Sequence, residues 1–179
     1  MDQVEPIFTL GHSTRSAEEF VALLKAHRIE LLVDVRTVPR SRHNPQFNRE
    51  TLPGTLRQAG IDYLHLAELG GLRKPRADST NAGWRNLSFR GFADYMETPE
   101  FEKGLDQLMN AAKTRRVAIM CAEAVPWRCH RSLIGDALAA RGADVFELSS
   151  VTLAQPHRMT PFARVEGTKV SYPGVLQLG

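Results

Sequence analysis

Residues 115–150 read RRVAIMCAEAVPWRCHRSLIGDALAARGADVFELSS, and the order of patterns in them decides the fold. The run VAIM is short and apolar and ends at Cys121, as a strand buried on both faces does. A polar loop follows, then PWRCHRSLIGDALAARG, a helical pattern with Pro126 near its first turn and Gly142 at its end. ADVFELSS closes the stretch as a second strand. A strand, a helix and a strand in succession predict a parallel pair joined by a right-handed crossover.

The same alternation extends toward the N-terminus. EPIFTLGHS reads as a buried strand leaving its sheet at His12, and SAEEFVALLKAHR as a helix with Ser16 as N-cap, Glu19 three residues on and an apolar face of Phe20, Val21, Leu24 and Ala26. IELLVDVRTVP gives a second strand, RETLPGTLRQAG a broken helical stretch closed by Gly60, and IDYLHLAELGG a third strand or extended segment. LRKPRADSTNAGWRNLS has turn formers, charges and no period, so it predicts a long loop after the third strand. FRGFADYMETPEFEKGLDQLMNAAK predicts two helical pieces split at Thr98-Pro99, because proline breaks a helix interior. The expected architecture is a single α/β domain with an open, mostly parallel sheet and helices on both faces. Its core is expected over about residues 6–150, with an irregular tail over 151–179. Five strand signals fall short of a closed barrel.

Composition narrows the function classes. The chain has 179 residues, 42% of them hydrophobic. No run approaches the roughly 18 apolar residues of a membrane span, and MDQVEPIFTL carries acids where a secretory signal carries bases. A soluble cytoplasmic protein with no membrane partner is expected; the oligomeric state is not legible. Two cysteines eight positions apart are too few for a disulfide framework and read as free thiols. The net charge of +3 and pI near 9.1 are mildly basic, but 18 of the 23 basic residues are arginine, whose planar fork suits phosphate and carboxylate. Residues 35–49 hold Arg36, Arg40, Arg42 and Arg49 with no acid, and residues 73–90 hold Arg73, Lys74, Arg76, Arg85 and Arg90 against Asp78 alone.

In open α/β sheets, ligands bind beyond the carboxyl ends of the strands. The residues just past those ends are Gly11, His12 and Ser13; Asp34 and Arg36; Glu68, Gly70 and Gly71; Cys121 and Glu123. Each also has a structural explanation: a helix cap for His12 and Ser13, an ion pair for Asp34, a tight turn for the glycines, a small buried hydrophobe for Cys121. An acid inside LLVDV nevertheless demands a partner, since burying a lone carboxylate costs several kcal/mol. Arg128 and Arg131, with a helix N-terminus, favour thiolate at Cys121 and at Cys129, which is placed in the first helical turn beside His130.

The spacing from Cys121 to Arg128 resembles, without matching, the cysteine-loop-arginine cradle of protein phosphatases and rhodaneses; with one residue more, the arginine faces differently. A metal site from Cys121, Glu123, Cys129 and His130 is disfavoured, because neither C-x-x-C nor H-x-x-x-H occurs. No cofactor is implied. A Cys121–Cys129 disulfide formed on oxidation is the other option for the thiols.

Together TLGHST, LVDVRTVPRSRHNPQFN, YLHLAELGG and CAEAVPWRCHR resemble, in order and spacing, the signature of the family known as domain of unknown function 488, over about residues 9–160. The resemblance implies a compact α/β domain with signature residues Gly11, His12, Ser13, Asp34, Arg36, Leu69, Gly70, Gly71, Cys121, Glu123, Cys129, His130 and Arg131. It supplies no activity.

Two principal readings follow. One is a hydrolase-like enzyme acting on a phosphate-bearing nucleotide or nucleic acid: Asp34 and Glu123 as acid/base carboxylates, Cys121 or Cys129 as nucleophile, His12 or His130 as proton carrier. Ser13, Arg36, Arg128, Arg131, Gly70 and Gly71 would hold the anionic small molecule or nucleic acid, and Asp34→Asn would abolish turnover while leaving folding largely intact. The other is a non-catalytic nucleic-acid-binding module, its arginines gripping phosphates while Phe47, Trp84, Phe89 or Phe92 stack on bases. A thiol-based redox sensor is a third alternative, resting on the cysteines alone.

Overall fold

The computed structural model describes residues 5–125 and 128–174. Pro126, expected near the start of the last helix, lies outside the described residues. Five parallel strands form the centre: β1 (Ile7–Gly11), β2 (Leu31–Asp34), β3 (Asp62–His65), β4 (Val117–Cys121) and β5 (Val145–Leu148). A sixth strand, β6 (Ala154–Pro156), adds antiparallel to β5, giving the order β3-β2-β4-β1-β5-β6. The helices are α1 (Ala17–Ala26), α2 (Leu52–Gln58), α3 (Leu87–Tyr95), α4 (Pro99–Ala111) and α5 (Arg131–Ala140). The expected open α/β sheet with helices on both faces is the observed fold.

The placement of the helices follows from chirality. Steps from β1 to β2 and from β2 to β3 move one way along the sheet; steps from β3 to β4 and from β4 to β5 move the other. Right-handed crossovers must then use opposite faces for the two directions. Accordingly Phe20, Leu23 and Leu24 of α1 and Leu52 and Leu56 of α2 pack on Phe8, Leu10, Leu32, Ala118 and Met120. Helices α3, α4 and α5 cover Ile7, Leu31, Val33, Val117 and Ile119 on the other face. Strand residues alternate between the two cores, so β2 and β4 are apolar throughout apart from Asp34.

Local signals act as expected at several ends. Ser16 and Glu19 form a capping box, and Thr98 accepts from the Phe101 N–H with Pro99 opening α4. The buried face of α1 differs from the expected one: Leu23 joins Phe20 and Leu24, while Ala26 is exposed. Helix α5 starts at Arg131, so Cys129 precedes the helix instead of lying in its first turn. The segment after residue 150, expected to be irregular, holds β6 and a hairpin of β7 (Arg164–Glu166) and β8 (Lys169–Ser171). Val170 and Tyr172 are buried in the α3–α5 core. No helix among the described residues is long and apolar enough to cross a membrane.

Candidate functional site

Strands β1 and β4 are neighbours in register, Gly11 opposite Cys121, yet their chains leave in opposite directions. This is the topological switch point, where diverging loops normally open a crevice. Here the loop after β4 fills it. His12 N–H donates to Cys121 O (2.9 Å) and Ser13 N–H to Ala122 O (3.0 Å). A side chain at Gly11 would meet the Glu123 carbonyl at 1.6 Å, so only glycine lets the loop cross β1. Ser13 adopts a left-handed backbone (φ 51°) as the chain turns away.

Two buried arginines organise the edge, one on each face of the sheet. On the α1–α2 face, Arg36 donates from Nε to Asp34 Oδ1 (2.9 Å) and from Nη2 to Asp34 Oδ2 and Phe47 O (both 2.7 Å). Asp34, fully buried, also accepts the Arg36 backbone N–H (3.1 Å) and the Tyr63 hydroxyl (2.5 Å). Burial and the adjacent carboxylate push the Tyr63 hydroxyl well up from its ordinary range, so it remains a donor. His12 stacks on Phe47 at 4.4 Å, with Nδ1 2.8 Å from Ser13 O and Nε2 3.4 Å from Arg36 Nη1. An arginine can only donate, so Nε2 accepts, Nδ1 carries the proton and the ring is neutral. Burial, together with Arg36, holds the His12 pKa below the usual 6.5 against the opposing pull of the Ser13 carbonyl.

On the opposite face Arg131, expected to hold substrate, is 1% exposed. Its Nη2 donates to Glu147 (3.0 Å), Ala124 O (3.0 Å) and Glu123 O (3.2 Å), and its Nε lies 3.4 Å from Cys121 Sγ. Thr9 donates to the same glutamate. Burial raises the Glu147 pKa, with Arg131 and Thr9 working against it. Cys129 Sγ lies 3.5 Å from His130 Nδ1, and His130 Nε2 donates to Val35 O at 2.9 Å. Burial and the neighbouring Cys129 push the Cys121 thiol well up, whereas hydrogen bonds from Cys121 and His130 pull Cys129 down.

These contacts revise several expected roles. Asp34 has both oxygens filled by donors and no face open to a ligand, and Arg36 and Arg131 are enclosed in the same way. Phe47 and Phe92 are core residues and cannot stack on bases, while Trp84 and Phe89 are half-buried and pack on each other at 5.0 Å. Gly70 is buried beneath Thr37, whose hydroxyl donates to Gly71 O (2.8 Å) and ties the second and third strand-end loops together. Glu123 and Arg128 present exposed side chains, and Ser13 is half-exposed. Among the described residues the buried polar groups of this edge satisfy one another, and a cavity of about 290 Å³ lies elsewhere, between α4, α5 and β8. Among the described residues no group of three or more His, Cys, Asp or Glu is placed to hold a metal.

Sequence reasoning missed Thr9, Tyr63 and Glu147. Glu147 sits in the apolar run VFEL as Asp34 sits in LLVDV, so the same rule about buried acids would have found it. Tyr63 carries no such signal, since tyrosine is ordinary in a strand.

No curated protein and no solved structure shows significant similarity to this chain. The model of one family, described as a domain of unknown function, DUF488, matches residues 16–138, a span that includes β2, β3, β4 and most of α5. The chain therefore belongs to the DUF488 family.

Proposed function

We propose that the carboxyl edge of the sheet binds a phosphate-bearing ligand, a nucleotide or a stretch of nucleic acid, and acts on it by hydrolase-like chemistry. One observation carries the reading. Arg40, Arg42, Arg49, Lys74 and Arg128 are exposed on three loops that follow β2, β3 and β4, and no carboxylate pairs with them among the described residues. Like charges held on adjoining loops repel one another, and a polyanion relieves that repulsion while releasing counterions.

In this reading the exposed cations grip phosphate, and the Arg36–Asp34 and Arg131–Glu147 pairs are positioning groups that fix the loops. Glu123 is the acid/base group, because its carboxylate is exposed at the switch point while its carbonyl is anchored by Arg131. The thiols lie beneath the loop and do not reach the ligand.

Fluorescence anisotropy with a labelled single-stranded oligonucleotide tests the binding step. Affinity should fall with salt at a log–log slope of about −0.7 for each phosphate neutralised, and Arg40→Ala with Arg42→Ala should flatten it. Absence of binding at low salt overturns the proposal. Glu123→Gln should keep affinity and lose hydrolysis of the bound phosphate ester; binding without turnover in the unmodified protein supports the non-catalytic module instead.

A further inference from the structure

The two thiols have no part in the ligand chemistry above, yet their surroundings are specific. Both are buried in one core cluster, at 2% and 6% exposure, and each thiol shifts the ionisation of the other. Cys129 has the His130 imidazole at 3.5 Å, and that ring is fixed by the hydrogen bond its Nε2–H donates to Val35 O. Cys121 has the Arg131 Nε–H at 3.4 Å. Ala122, Glu123, Ala124 and Arg128 of the intervening loop are exposed, and Cys121 Sγ lies 3.5 Å from Glu123 O of that loop.

We infer that Cys129 is a site of oxidation by small hydroperoxides, and that Cys121 is the resolving thiol that converts the product into an intramolecular disulfide. In the first step the Cys129 sulfur attacks a peroxide oxygen. An S–O bond forms, the O–O bond breaks, and the departing hydroxide takes a proton from solvent, leaving a sulfenic acid and water. In the second step the Cys121 sulfur attacks the Cys129 sulfur; the S–S bond forms, the S–O bond breaks, and the hydroxide leaves as water with the proton of Cys121. Two thiols lose two electrons in total and one hydrogen peroxide becomes two waters.

The order of events is set by the neighbours. Burial first, and then the hydrogen bond and charge of Cys129, keep Cys121 protonated. Once Cys129 is a neutral sulfenic acid that repulsion is gone, and the Arg131 guanidinium remains to favour thiolate at Cys121. Reaction at the first sulfur thus lifts the restraint that Cys129 places on the second, while burial continues to oppose its ionisation.

The test uses the reduced, full-length protein and hydrogen peroxide, followed by acid quenching, alkylation and intact mass. Both thiols should be lost together, the mass should fall by that of two hydrogens, and the rate should not depend on protein concentration. Peptide mapping should show a Cys121–Cys129 link. Brief exposure with dimedone present should label Cys129, and Cys121→Ser should accumulate that label. Cys129→Ser should slow oxidation of Cys121 by at least about tenfold. Folded protein whose Cys129 stays alkylatable after peroxide, a first label on Cys121, or disulfides only between molecules would each overturn the inference. The wild-type arms need no variant to fold, and none of them depends on phosphate binding.

Discussion

At the scale of single residues, the acid in LLVDV shows what a sequence can and cannot announce. A buried carboxylate required a partner, and the partner is Arg36 two positions on, with Tyr63 supplied by the next strand. The requirement was legible; the identity of the second donor depended on register and was not. Because every lone pair of Asp34 is occupied, Asp34→Asn sets an amide N–H₂ against the donors of Arg36 or Tyr63. It should destabilise the fold by about 3–5 kcal/mol in urea denaturation, instead of leaving folding largely intact as the sequence alone suggested. His12 gives a pH effect of definite sign. Its folded pKa lies below the usual 6.5, so the unfolded chain binds the proton more readily. Stability from this group is complete above about pH 6.5 and declines as pH falls through that value toward the folded pKa. Denaturation midpoints between pH 8 and 5 should show the decline, and His12→Asn should lessen it.

At the scale of elements, apolar runs revealed β1, β2, β4 and β5, and caps revealed α1 and α4, because these signals are local. Strands β6, β7 and β8 have three residues each, too few to show alternation, and their places are set by distant partners. Chief among these is Asp136 of α5, fully buried, which accepts from His157 Nε2 (2.8 Å), the Thr160 N–H and hydroxyl (3.1 and 2.6 Å) and the Tyr172 hydroxyl (2.8 Å). One carboxylate thereby moors the polypeptide from residue 157 to residue 172 on the helix. Asp136→Ala should cost about 3 kcal/mol or more and raise amide exchange through β7 and β8 before the central sheet opens.

At the scale of the whole molecule, the segment that carries Val170 and Tyr172 is part of the core. Tyr172 donates its N–H to Asn81 Oδ1 (2.9 Å), and Asn81 in turn donates to Asp94 of α3 (2.7 Å), so the long loop and the last strand hold each other. Burial of Asp94 is outweighed by donors from Ser79, Asn81 and the Arg76 N–H, which keep its carboxyl below the usual range. We propose that the folding unit extends to at least residue 172. A chain stopped at residue 150 should unfold with a shallower denaturant dependence and bind a hydrophobic dye, and an unchanged cooperative transition would contradict this boundary. The fold class was readable because alternating patterns fix it; the filled crevice was not, because it depends on how one loop crosses a glycine.

The margins of the sheet carry a last consequence. One outer strand ends in Pro156, which has no N–H to offer a newcomer, and the other begins with exposed Asp62, ion-paired to Arg115. An open sheet is a template for stacking identical copies strand against strand, and an imino acid on one side with a solvated charge on the other makes that zippering unfavourable. Such a sheet can stay unclosed in a crowded solution without growing into a fibril.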